Sequence, residues 1–109
     1  MQMTTAEFLR QAKNLISNRR TYFCKRTDYD TVQALFDLGI EDRATAWREI
    51  MQLKPSDQYK PPEPDRNGSD NLVWFFKKTI NGESAYIKLT IDQNLCMCIS
   101  FHPEGYTTN

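Results

Sequence analysis

Residues 71–92 read NLVWFFKKTINGESAYIKLTID. Two strand-like runs flank Asn81-Gly82, the dipeptide that most strongly favours a two-residue hairpin turn, because both of its central residues need positive φ. A turn there pairs Ile80 with Glu83. Counting back sets Lys77 opposite Tyr86, Phe76 opposite Ile87 and Trp74 opposite Leu89. Side chains alternate between the two faces of a strand. Leu72, Trp74 and Phe76 therefore share a face with Ala85, Ile87, Leu89 and Ile91, and that face is the expected core.

Downstream, NLCMCISFHPEGY (residues 94–106) reads as a further strand, stopped by Pro103. The second hairpin is expected to turn at Asp92-Gln93-Asn94 or one residue later. If Leu95, Met97, Ile99 and Phe101 take the core face, odd positions pair with odd ones, and Tyr86 lies opposite Ser100 or His102. Diagonal neighbours on one face sit ~7–8 Å apart, within reach of long side chains. In either register Lys77, Tyr86 and His102 share the non-core face of three adjacent strands, together with Phe75, Lys88 and Ser100.

Upstream the pattern is helical. In TTAEFLRQAKNLIS, Phe8, Leu9, Ala12, Leu15 and Ile16 repeat at helical spacing behind a Thr4–Glu7 capping box. DTVQALFDLG is a second helix, capped by Asp30 and ended by Gly39. DRATAWREIMQL is a third, with Trp47, Ile50 and Met51 on one face. TYFC is a short strand candidate. PSDQYKPPEPDRNGSD holds four of the five prolines and is expected to be a loop between a helical half and a strand half. The order predicts an α+β fold, one domain over residues 1–109, with N-terminal helices packed on one face of a C-terminal antiparallel sheet.

Hydrophobic residues at 39% and charged residues at 26% are ordinary for a globular chain. No apolar run is long enough to span a bilayer, and no secretory leader is visible at the N-terminus. Three cysteines fit free thiols in a reducing compartment, so a cytoplasmic protein is expected. The net charge is zero, but the opening segment is basic. Arg19, Arg20 and Arg26 there are candidates to meet phosphates, with a solvated face as the plainer reading.

His102 is the only histidine. Lysine, tyrosine and histidine together suit cleavage of a phosphodiester by the RNA's own 2′-hydroxyl. One group takes the 2′-proton, another protonates the 5′-oxygen, and cations stabilise the phosphorane. Only RNA carries that hydroxyl. Phe75 on the same face is a candidate to stack a base, and Lys88 to contact the backbone. The plainer reading is a solvated sheet face with a surface histidine at its end. Cys96 and Cys98 stand ~6.8 Å apart along a strand and point in parallel, which suits packing better than a metal ion. No glycine-rich phosphate loop occurs, and no cofactor is implied.

The chain resembles the MqsR family of type II toxin–antitoxin toxins. The resemblance starts at FLRQAKNLIS, continues through LGIEDRATAWREIMQLKPSDQYK, and is clearest in VWFFKK, SAYIKLTID and CISFHPE. The markers are D-x-Y-K, a strand Trp, Y-[IL]-K and a closing S-F-x. It implies a RelE-like fold and messenger-RNA endonuclease activity that inhibits translation. It also implies a cognate antitoxin, often a helix-turn-helix repressor, and it allows delivery of the substrate by the ribosome. The implicated positions fall on Lys60, Phe75, Tyr86 and His102. Phe75 departs from the family's polar residue, and Lys77 opposite Tyr86 is placed to compensate. Arg19, Arg20 and the 60–70 loop are candidates for the antitoxin surface.

The expected protein is thus a metal-independent endoribonuclease. His102 serves as acid or base, Tyr86 as relay or donor, and Lys60 and Lys77 stabilise charge. The alternative is an inactive binding module on the same fold, favoured by Phe75 and the neutral net charge, which would bind a protein or ribosomal surface without cleaving.

Overall fold

The structure, a computed structural model, describes residues 3–65 and 71–106. Thr4 and Glu7 close a reciprocal capping box at the start of α1 (Thr5–Ser17), as their spacing predicts. The chain then reverses through Arg19, which takes a positive φ of 60°, into the short strand β1 (Thr21–Phe23). Asp30 caps α2 (Thr31–Asp37), and Asp42 caps α3 (Arg43–Met51). A single 3₁₀ turn (Pro55–Asp57) leads to β2 (Gln58–Pro64), followed by β3 (Leu72–Ile80), β4 (Glu83–Asp92) and β5 (Leu95–Pro103).

The sheet runs in the order β1-β5-β4-β3-β2. It is α+β as expected but not wholly antiparallel, because β1 lies parallel to β5, with Thr21 beside Cys96. The physical reason lies in the turn after α1. It sends the chain along the start of β5, where the Cys96 N–H donates to the Arg20 carbonyl at 2.9 Å.

The first hairpin has the expected register, from Trp74 with Leu89 to Ile80 with Glu83. Asn81 and Gly82 hold φ values of 52° and 83°. The second turns on Gln93 and Asn94, both at positive φ, and pairs Asp92 with Leu95. A bulge then intervenes: Leu89 faces Cys98, whereas Lys88 faces Ser100. The extra residue, Ile99, exchanges the faces of the preceding stretch. Cys96 and Cys98 are therefore fully buried in the core, and Leu95 and Met97, expected there, turn to the opposite face. Beyond the bulge Phe101 keeps its core position opposite Ile87.

The proline-rich segment is the second correction. Residues 58–64 form an edge strand rather than a loop, paired with β3 through two irregularities of register. An edge strand tolerates residues that supply no N–H, and one of the two slips, between Lys60 and Glu63, spans Pro61 and Pro62. Residues 66–70 of the expected loop lie outside the described residues.

The core joins Phe8, Leu9 and Ala12 of α1 and Ala46 and Ile50 of α3 to Trp74, Phe76, Ile87, Leu89 and Phe101 of the sheet. Phe8 stacks on Trp74 with ring centroids 4.7 Å apart. At the rim of this face Lys78 reaches Glu49 of α3 at 2.8 Å. No helix among the described residues is long and apolar enough to cross a membrane.

Candidate functional site

The opposite face of β3, β4 and β5 carries the chemistry-bearing side chains. Lys77 faces Tyr86 across the β3–β4 ladder, and Tyr86 faces His102 across the β4–β5 ladder. The Lys77 ammonium lies 5.5 Å from the centre of the Tyr86 ring. The Tyr86 and His102 rings lie near-parallel, 6.1 Å apart and inclined by 13°. Lys60 arrives from β2 as the partner of Phe75, with its ammonium 4.2 Å from that ring and 3.1 Å from Glu63. Lys88 stands 5.7 Å from the same ring. The fold thus brings Lys60, Lys77, Tyr86, Lys88 and His102 onto one surface.

Three expectations need correction. Phe75 is not exposed for stacking: it is 4% exposed, met edge-on by Tyr59, with the Lys60 and Lys88 ammonium groups over its ring. The cause is β2, which as a strand lays Tyr59 and Lys60 beside Phe75 where a loop would have left it open. Arg19 and Arg20 are not at this site. Arg20 precedes Thr21, the partner of Cys96, and at one strand rise per residue His102 is roughly 20 Å away along β5. Arg26 is at the right end, but its guanidinium is held by Asp28 at 2.9 Å.

His102 is also more enclosed than a strand-end surface residue, at 6% exposure. Tyr29 meets it edge-on at 5.2 Å, and Tyr106 lies over it at 6.3 Å with a 25° inclination. Burial pushes its pKa below the usual imidazole value of 6.5, aided by the Lys88 and Arg26 charges and opposed by a hydrogen bond to Pro103. That bond, Nδ1 to the Pro103 carbonyl at 2.7 Å, fixes the tautomer. A carbonyl only accepts, so Nδ1 carries the proton and Nε2 carries the lone pair. The imidazole is therefore set up as a neutral proton acceptor.

Four site residues escaped the sequence reading. Tyr29 lies in the loop before α2, where its hydroxyl takes over the ladder that β1 leaves unfinished. It accepts from the Phe101 N–H at 3.1 Å and bonds the Ser100 hydroxyl at 3.1 Å. Tyr59 sits in the D-x-Y-K segment, T-shaped to Tyr86 at 5.3 Å. Glu104 accepts from the Tyr86 hydroxyl at 3.0 Å. The Tyr106 hydroxyl donates to the Asp37 carboxylate at the end of α2. Only Glu104 had a local signal, its position two residues after His102, just past the end of β5.

Among the described residues no three His, Cys, Asp or Glu side chains gather as a metal site. Burial raises the thiols of Cys96, to about 12, and Cys98, leaving both as packing groups rather than nucleophiles or ligands.

The family model described as "Motility quorum-sensing regulator, toxin of MqsA" matches residues 4–103 of the chain. No curated protein matches it. The matched span contains Lys60, Lys77, Tyr86 and His102 and stops before Glu104 and Tyr106.

Proposed function

The chain belongs to the MqsR toxin family, and from that membership we propose that this toxin is a metal-independent endoribonuclease acting on messenger RNA. The observation that carries the reading is the convergence of Lys77, Tyr86 and His102 on adjacent strands, with His102 in the proton-accepting tautomer.

In the proposed reaction the 2′-hydroxyl proton passes to His102 Nε2 while the 2′-oxygen bonds to phosphorus. The Lys60 and Lys77 ammonium groups stabilise the phosphorane charge. The P–O5′ bond breaks, and the leaving 5′-oxygen takes a proton from the Tyr86 hydroxyl. The products are a 2′,3′-cyclic phosphate and a 5′-hydroxyl. Solvent then returns the Tyr86 proton and removes the one on His102, so no net proton is consumed. Lys88 is placed to meet a flanking phosphate. Phe75 serves by holding Lys60 over its ring, which replaces a polar contact by a positioning one.

Family membership brings an antitoxin as partner, the role that MqsA has in the family's description. We take it to be a DNA-binding repressor, with the ribosome as a route by which this neutral chain gains access to its substrate.

A second reading has specific support. His102 is enclosed, and the Tyr86 proton is engaged by Glu104, as in a binding module that no longer cleaves. One experiment separates the two. Purified protein is incubated with messenger RNA, wild type beside His102→Ala and Tyr86→Phe, in EDTA without ribosomes and in magnesium with them. The ribonuclease reading expects 2′,3′-cyclic ends, reduced about 10²–10⁴-fold by His102→Ala. Intact RNA with wild type in both conditions supports the binding module.

A further inference from the structure

A general base must meet its substrate, and His102 is closed in by three tyrosine rings. Two of them are fixed. Tyr86 stands on the central strand β4, in register on both sides. Tyr29 is pinned through its hydroxyl to the Phe101 N–H and the Ser100 hydroxyl. Tyr106 is different. It follows the last strand on a turn made by Gly105, whose φ of +86° only a residue without Cβ adopts freely. Its backbone N–H reaches the Pro103 carbonyl at 3.4 Å, the same oxygen that holds His102 Nδ1. Its side chain is tethered at the tip to one exposed carboxylate, Asp37. That bond holds the Asp37 carboxyl below its ordinary range and pushes the Tyr106 phenol up to about 12.

We propose that Tyr106 is an aromatic cap on the active site, latched by Asp37, that occupies the place over the His102 ring where a nucleobase of the RNA stacks. This rests on the ribonuclease reading above and deepens it. In the resting toxin the cap shields the imidazole. An unstacked base of single-stranded RNA displaces the Tyr106 ring and exposes Nε2 to the 2′-hydroxyl. The turn at Gly105 supplies the hinge, and the shared Pro103 carbonyl couples the turn to the tautomer of His102.

The test uses a mixed-sequence RNA oligonucleotide for cleavage, and its 2′-O-methyl form, which has no attacking hydroxyl, for binding. Asp37→Ala removes the latch from outside the site. Gln33→Ala is the control, because Gln33 donates to the other oxygen of Asp37 at 2.8 Å and leaves the latch intact. Asp37→Ala and Tyr106→Ala are expected to bind the 2′-O-methyl RNA about five-fold more tightly, and to raise kcat/KM by a similar factor, the worth of one ordinary hydrogen bond. Gln33→Ala should match wild type. Unchanged binding in both variants overturns the cap. So does a loss in Tyr106→Ala with no change in Asp37→Ala, which makes Tyr106 a stacking platform instead. If no protein cleaves RNA, the ribonuclease reading falls, and the binding comparison still decides the cap.

Discussion

The protonation of His102 yields the sharpest prediction. The imidazole is buried beneath three rings and flanked by the Lys88 and Arg26 charges, and all of these favour its neutral form. Its midpoint therefore lies below 6.5, with only the Pro103 bond and Asp28 pulling the other way. If His102 is the base, kcat/KM is flat above that midpoint and falls about ten-fold per pH unit below it. Because the chain holds a single histidine, imidazole NMR reads the midpoint without assignment, and the kinetic and spectroscopic values should coincide. Lys88→Met, which removes a repelling charge, should move both upward together. Stability follows the same linkage. A histidine whose folded pKa is depressed binds protons more readily when unfolded. Its contribution is fully present above the unfolded value of 6.5 and is lost as pH falls through the folded one. Urea midpoints should decline across that window in wild type and less so in His102→Gln. A rate that rises as the imidazole protonates would refute the base assignment. An NMR midpoint at or above 6.5 would refute the burial argument.

Other substitutions test the frame around the site. Tyr29→Phe strands the Phe101 N–H and the Ser100 hydroxyl, which is 2% exposed, and should destabilise by about 1–3 kcal/mol in urea titration. Adding Ser100→Ala should recover part of that loss, and additive losses would contradict the hydrogen-bond account. Phe75→Ala should cost about 3–5 kcal/mol in thermal unfolding, as a buried ring does; a near-neutral result would mean that Tyr59 and Lys60 do not cover it. Gly39→Ala should destabilise measurably in the same assay. A Cβ there would stand 2.5 Å from the Asn81 amide nitrogen that bonds the Leu38 carbonyl, at a φ of +77°; in an Asn81→Ala background the shift should shrink to the part that comes from the positive φ.

The hairpin at Asn81-Gly82 was legible because turn chemistry and strand parity agree there, and together they place Lys77 opposite Tyr86. His102 opposite Tyr86 was one of two registers parity allowed. Parity also misled at Leu95, Met97 and Ile99, because a bulge adds a residue without a composition signal, and the cysteines are apolar enough to take the core in their place. Residues 58–64 were misread because proline argues against a central strand but not against an edge. From that one error came the exposed Phe75. The parallel pairing of β1 and the placement of Tyr29, Glu104 and Tyr106 depend on contacts between segments far apart in sequence, on which local periodicity is silent.

The prolines of β2 also bear on how this protein behaves at high concentration. A sheet with free edges invites another chain to add a strand, and growth by such additions ends in fibres. Here the outer strand on one side contains Pro61, Pro62 and Pro64, which supply no N–H; backbone directions alternate along a strand, so adjacent Pro61 and Pro62 leave one gap on the side an incoming strand would meet. On the other side β1 offers only the three residues Thr21–Phe23. Neither margin is a good template for a neighbour. Replacing those prolines with threonines should leave the sheet paired internally and make the purified protein assemble edge to edge.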